Sequence, residues 1–90
     1  MMEVILTDEF IKRYSALSLV IKLKAEKQER LFRIDPFYPS LHTEKIEPKG
    51  RQVWTFRVDK NYRVAFRFIT GNKVLFLTIG PHDWIYRLRF

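Results

Sequence analysis

The sequence predicts an α+β fold, two N-terminal helices packed on a twisted antiparallel sheet of about four strands, and three observations carry that expectation. Apolar residues recur at helical spacing only before Pro36. From Trp54 onward apolar and polar residues alternate, as they do in half-buried strands. Two turn sequences, Asp59-Lys60-Asn61 and Gly71-Asn72, interrupt that alternation where neighbouring strands must fold back on each other.

Glu3 to Leu6 is a brief strand candidate. Thr7 ends it and offers its hydroxyl as the cap of a helix whose first residues, Asp8 and Glu9, sit at the positive end of the helix dipole. Phe10, Ile11, Tyr14 and Leu17 follow at helical spacing. Ser18 caps a second helix in which Val20, Leu23, Leu31 and Ile34 form the expected apolar stripe, and Pro36 closes it because the residue before a proline avoids the helical region. The stretch from Asp35 to Arg51 holds Pro36, Pro39, Pro48 and Gly50, so it reads as a long ordered connection with one turn of strand at Glu44 to Glu47.

Trp54, Phe56 and Val58 alternate with Thr55 and Arg57, and across the turn Tyr62, Val64 and Phe66 alternate with Arg63 and Ala65. A one-residue slip would turn every side chain of one strand over, so Val58 must stand opposite Tyr62 and Arg57 opposite Arg63. Two like charges so placed are unfavourable by roughly a few tenths to 1 kcal/mol. An anion such as a phosphate is therefore expected between them. Pairing around Gly71-Asn72 sets Phe68, Phe66 and Val64 against Leu75, Leu77 and Ile79 and brings Arg63 beside Gly80. Gly80-Pro81 stops the strand, and His82 to Tyr86 form a short segment at the open edge of the arginine face. If extended, that segment puts Trp84 and Tyr86 on one side.

Ninety residues, 47% of them hydrophobic, suffice for one domain spanning 1–90 with a core that needs no staples. There is no cysteine, which excludes disulfides and thiolate metal sites. No apolar run approaches a membrane span, and the opening residues MMEVILTDEF are acidic where a signal peptide is basic, so a cytoplasmic protein is expected. The formal charge of +7 draws in polyanions, nucleic acid or an acidic protein, although the same charge also serves simply to keep a small domain in solution. Two histidines without a carboxylate cluster at ligand spacing argue against a metal site, and neither a phosphate-binding glycine loop nor a nucleophile elbow is present.

Asp35-Pro36 and Pro39-Ser40-Leu41 before Lys45-Ile46, then Trp54-Thr55-Phe56-Arg57-Val58, Tyr62-Arg63-Val64-Ala65-Phe66 and Ile79-Gly80-Pro81-His82-Asp83-Trp84-Ile85-Tyr86, together resemble the RelE/ParE toxin superfamily. The resemblance covers nearly the whole chain. It implies the toxin of a type II toxin–antitoxin system, held by a cognate antitoxin in a hetero-oligomer, with no membrane partner and no cofactor. It leaves the activity open between branches. RelE-like members cleave messenger RNA on the ribosome without a metal, ParE-like members inhibit DNA gyrase, and a toxin-derived module that only binds an antitoxin is a third possibility.

Metal-free cleavage needs a group to take the 2′-hydroxyl proton, positive charge on the phosphate and a proton for the departing oxygen. By the resemblance Arg63 matches the arginine of the family's Tyr-Arg strand motif, Arg57 a basic position on the preceding strand, His82 a position where nuclease members carry a histidine or another basic residue, and Tyr86 the near-terminal tyrosine. A guanidinium grips two phosphate oxygens where lysine cannot, an imidazole serves either end of a proton transfer near neutral pH, and a phenol ring stacks on a base. Asp83 is placed to orient the imidazole. His82 instead can be an ordinary loop residue, the arginines a solvated pair, and one of Trp84 and Tyr86 a plug at the end of the core. His42, Lys45, Lys49 and Arg51 are candidates for the RNA-facing surface, with Trp84 as a possible stacking platform. The most basic nuclease branch carries two alternating lysines on the strand before Tyr-Arg, and here those positions read Thr55 and Arg57. That favours a site relying on histidine, and His82 is the feature that tilts the choice from gyrase inhibition to cleavage.

Overall fold

Thr7 joins the first two elements, β1 (Glu3–Leu6) and α1 (Asp8–Ser15). Its hydroxyl accepts from the Phe10 N–H at 3.0 Å and donates to the Leu77 carbonyl at 2.8 Å, so one side chain caps a helix and ties it to the sheet. Ser18 caps α2 (Leu19–Ile34) in the same manner through the Ile21 N–H. The computed structural model of the 90-residue chain describes residues 1–46 and 52–90. Lys49, Arg51 and the expected end of the second strand at Glu47 lie outside the described residues.

A short 3₁₀ turn (Pro39–Leu41) leads into β2 (Glu44–Lys45), β3 (Trp54–Arg57), β4 (Tyr62–Thr70) and β5 (Lys73–Pro81), and the chain closes with α3 (His82–Arg87). The five strands form one sheet in the order β1-β5-β4-β3-β2. The α+β reading holds, with two refinements. The two residues of β2 add a fifth strand, and β1 runs parallel to β5, with Glu3 beside Lys73 and Leu6 beside Phe76. No tight turn joins β1 to its neighbour, so nothing in the local sequence dictates an antiparallel direction there.

The β3–β4 register is the expected one: Arg57 faces Arg63, Phe56 faces Val64, and the Val58 N–H donates to the Tyr62 carbonyl at 2.9 Å. The β4–β5 hairpin departs from expectation in its middle. Val64 meets Ile79 and Arg63 meets Gly80, but Phe66 meets Phe76 and Phe68 meets Val74, with register shifts between Ala65 and Phe66 and again between Phe68 and Thr70. Val74, Phe76 and Ile79 are all core residues, and the odd interval between Phe76 and Ile79 puts them on one face only if a bulge absorbs a residue.

The helices α1 and α2 cover one face of the sheet, where Phe32 lies within 4.9 Å, centroid to centroid, of both Phe56 and Phe66 and 5.4 Å from Phe76. Here the expected stripe on α2 is corrected. The buried positions are Ala25, Gln28 and Phe32, while Val20, Leu23 and Ile34 are 61%, 56% and 68% exposed. A polar residue disguised the true stripe: Gln28 Nε2 donates to the Arg57 carbonyl at 2.8 Å and the Ser40 carbonyl at 3.3 Å, so its amide is satisfied indoors. Ile11 on α1 is likewise exposed, at 48%, while Phe10 is buried.

The other face of the sheet carries α3. Ile85 is fully buried against Ile46, Val53 and Ala65, with Leu88 and Phe90 of the tail packed alongside. Because His82 to Arg87 is helical, His82 and Tyr86 fall one turn apart on the same side, and Trp84 does not share it. Trp84 lies under the Arg13 guanidinium at 4.6 Å from the ring centroid and against Gly80.

Candidate active site

The α3-covered face of β3 and β4 presents Thr55, Arg57 and Arg63, and α3 adds His82 at its start and Tyr86 one turn later. Arg63 is 8% exposed; its guanidinium donates to the Asp59 carbonyl at 2.7 Å and the Tyr62 carbonyl at 3.0 Å, which fixes it in place. Burial first, and the Arg57 charge second, lower its pKa from the ordinary arginine value. Among the described residues Arg57 Nε is a buried N–H without an acceptor. A buried donor left unpaired and a guanidinium crowded by its like both favour an anion between the two strands.

His82 is anchored through its backbone, whose N–H donates to the Asn61 carbonyl at 2.7 Å, and its side chain remains 46% exposed. Its Nδ1 lies 3.0 Å from Asp83 Oδ1, so the Asp83 carboxylate accepts from Nδ1–H and Nε2 is the nitrogen left for other work. That hydrogen bond, followed by the electrostatic effect of the His82 ring, lowers the Asp83 pKa. Arg63 and His82 line one shallow groove together with Lys60, Asn61, Pro81 and Asp83. The Tyr86 ring sits 4.5 Å, centroid to centroid, from the imidazole.

The Tyr86 hydroxyl donates to Glu44, and Thr55 Oγ1 donates to it in turn from 3.1 Å. Burial, then the Glu44 hydrogen bond, raises the phenol pKa, so Tyr86 stays a neutral donor. Glu44 and Thr55 were not among the expected site residues. The register that pairs Glu44 with Thr55 puts both on the arginine face, but a strand of two residues leaves that register illegible in the sequence.

Of the expected residues, Arg57, Arg63, His82 and Tyr86 come together, with Asp83 beside the imidazole as anticipated. Lys45 does not join them: it pairs with Trp54, facing the helices, and its ammonium lies 5.8 Å from the Trp54 ring centroid. Trp84 is turned toward α1 and Gly80. His42 is exposed at the end of the 3₁₀ turn, in the left-handed region at φ 46°. Among the described residues no three His, Asp or Glu side chains stand close enough to hold a metal ion, and no helix is long and apolar enough to cross a membrane.

Two helices on one face of a five-stranded sheet and a short C-terminal helix on the other make up a fold that this chain shares with solved YoeB/ParE and RelE toxin structures. A YoeB/ParE toxin from Agrobacterium tumefaciens superposes with a TM-score of 0.73 at 16% identity, over 90% of this chain and 99% of its own. YafQ from Escherichia coli gives 0.72 at 11% identity, over 96% of this chain and 99% of its own. An archaeal RelE in complex with RelB, from Pyrococcus horikoshii, gives 0.71 at 16% identity, over 89% and 93%. In sequence, 46 residues align at 35% identity with an uncharacterized protein of Haemophilus influenzae, a stretch equal to 51% of this chain and 45% of that one. The match thus spans about half the length of that relative. No family model matches the chain.

Proposed function

We propose that this protein is the toxin of a type II toxin–antitoxin system and a ribosome-dependent, metal-free endoribonuclease that cleaves messenger RNA and so stops translation. The observation that carries this reading is that Arg63 and the Asp83-bonded His82 line one groove, with Arg57 facing Arg63 across the strands and the Tyr86 ring against the imidazole. Structural neighbours solved as RelE–RelB and DinJ–YafQ complexes support an antitoxin as the partner of this chain too.

Each group has a task in the cleavage. Arg57 and Arg63 grip the scissile phosphate and take up the charge that develops as the 2′-oxygen attacks phosphorus. The Glu44 carboxylate, held by the Tyr86 hydroxyl, is the acceptor for the 2′-hydroxyl proton. His82 gives a proton through Nε2 to the departing 5′-oxygen, Asp83 holding the ring. Tyr86 is also an aromatic surface for a base, worth about 1–3 kcal/mol per stacked base. The products are a 2′,3′-cyclic phosphate and a free 5′-hydroxyl, and no redox partner is involved.

Growth arrest on induction in cells tests the assignment. Arrest should disappear with His82→Gln and with Arg63→Gln, and cleavage of ribosome-bound messenger should fall with it. Arrest that persists in both variants refutes the catalytic assignment. Blocked DNA supercoiling in purified gyrase, with messenger intact, replaces it with gyrase inhibition, and absence of arrest in the wild type replaces it with a binding module.

A further inference from the structure

Thr55 is a polar residue of β3 on the face that α3 covers, and it is shut away from solvent, with 1% of its surface exposed. Strand pairing sets it between Glu44 on β2 and Ala65 on β4. A hydroxyl so enclosed needs a hydrogen-bond partner. Among the described residues that partner is the Tyr86 hydroxyl, 3.1 Å away. The supply of protons fixes the direction of the bond. Tyr86 has one hydroxyl proton and gives it to the Glu44 carboxylate, which has none to return. The Tyr86 oxygen can therefore only accept from Thr55, and the order of donation runs from Thr55 to Tyr86 to Glu44. The branched Thr55 side chain is stiff at χ1, so the donor keeps its place.

We infer that Thr55 is a positioning residue: by donating to the Tyr86 oxygen it aims the phenol proton at Glu44 and so holds that carboxylate in place. The inference rests on the cleavage reading for its catalytic consequence, since there Glu44 is the acceptor for the 2′-hydroxyl proton. Tyr86 then has no proton free for the departing oxygen, and that task falls to His82 alone. The charged groups that share this face with the phenol are Glu44 on β2, Arg57 on β3, Arg63 on β4 and, when protonated, His82 one turn back on α3. Burial is the largest cause of the raised Tyr86 pKa; the Glu44 hydrogen bond adds to it, while the Thr55 hydrogen bond and the Arg63 charge oppose it.

Two measurements separate the hydroxyl chain from the chemistry. In the full chain with its tyrosines replaced by 3,5-difluorotyrosine, fluorine NMR follows the ionisation of each phenol, and the Tyr86 signal is the one lost in Tyr86→Phe. Thr55→Val should raise the Tyr86 titration midpoint, because the phenolate loses a donor, and Thr55→Ser should restore it. Glu44→Gln should lower the midpoint, a change of opposite sign that loosened packing does not produce. In ribosome-dependent cleavage Thr55→Val should reduce kcat about five- to tenfold, the size of one neutral hydrogen bond, with KM unchanged and recovery in Thr55→Ser. Thr55→Ala carries the same expectations should Thr55→Val not fold. A midpoint that stays put or falls in Thr55→Val overturns the hydroxyl chain. A raised midpoint with kcat unchanged overturns the positioning role. A wild type that cuts no messenger refutes the nuclease reading instead, and the hydroxyl chain then stands or falls on the titration.

Discussion

His82 and Arg63 differ in what their loss should do. The His82 side chain is 46% exposed and holds only Asp83, so His82→Gln should leave thermal stability unchanged while cleavage falls by about 10²-fold or more, the usual contribution of a positioned acid or base. Arg63 is buried beside a like charge, and its pKa is lowered chiefly by burial and then by Arg57. Its charged form is thus disfavoured in the native state, and an anion that relieves it binds the folded chain over the unfolded one. Inorganic phosphate should raise the melting temperature of the wild type, and this rise should shrink in Arg57→Ala; calorimetry at constant ionic strength measures both. Gly80 is constrained by sterics. A Cβ there would lie 2.4 Å from Trp84 Cε3, so Gly80→Ala should cost about 1–3 kcal/mol in urea unfolding, and Trp84→Leu in the same chain should recover part of it.

At the scale of elements, the β3–β4 turn is held by a single carboxylate. Asp59 accepts from the Asn61 and Tyr62 N–H groups, each at 2.8 Å, and from Lys24 at 3.4 Å. Burial opposes its ionisation, but these donors outweigh it and its pKa is lowered. A carboxylate with a depressed native pKa contributes stability that is fully present above its unfolded-state pKa and lost as pH falls through the native value. Asp59→Asn should therefore destabilise at neutral pH, and its gap from the wild type should close in acid; urea unfolding across that range checks it. Gln28→Leu should cost about 1–3 kcal/mol, since it leaves the Ser40 and Arg57 carbonyls without their donor. The same residues explain what the sequence did and did not disclose. The first hairpin was legible because strict alternation on both strands admits one register. The second strand pair was not, because Val74-Leu75-Phe76-Leu77 is apolar throughout and a bulge is invisible without alternation. The buried face of α2 was hidden by Gln28, a polar residue in an apolar position.

For the whole molecule, two coverings of one sheet decide where chemistry can happen. Helices α1 and α2 close one face, and α3 closes only part of the other, leaving Arg63 and His82 in an open groove. Arg57 and Arg63 were readable from a strand register, whereas His82 and Tyr86 came from the resemblance, and the helix that brings them one turn apart replaces the extended segment that would have paired Tyr86 with Trp84. Glu44 was not readable, because its position depends on a two-residue edge strand that no local pattern specifies. The most direct test of the cleavage assignment is to induce the protein and map messenger 5′ ends, with translation running and with initiation blocked. New 5′-hydroxyl ends inside open reading frames, present only when translation runs and absent in His82→Gln, are the expected result. Intact messenger during growth arrest, or cuts that appear equally without translation, would contradict it.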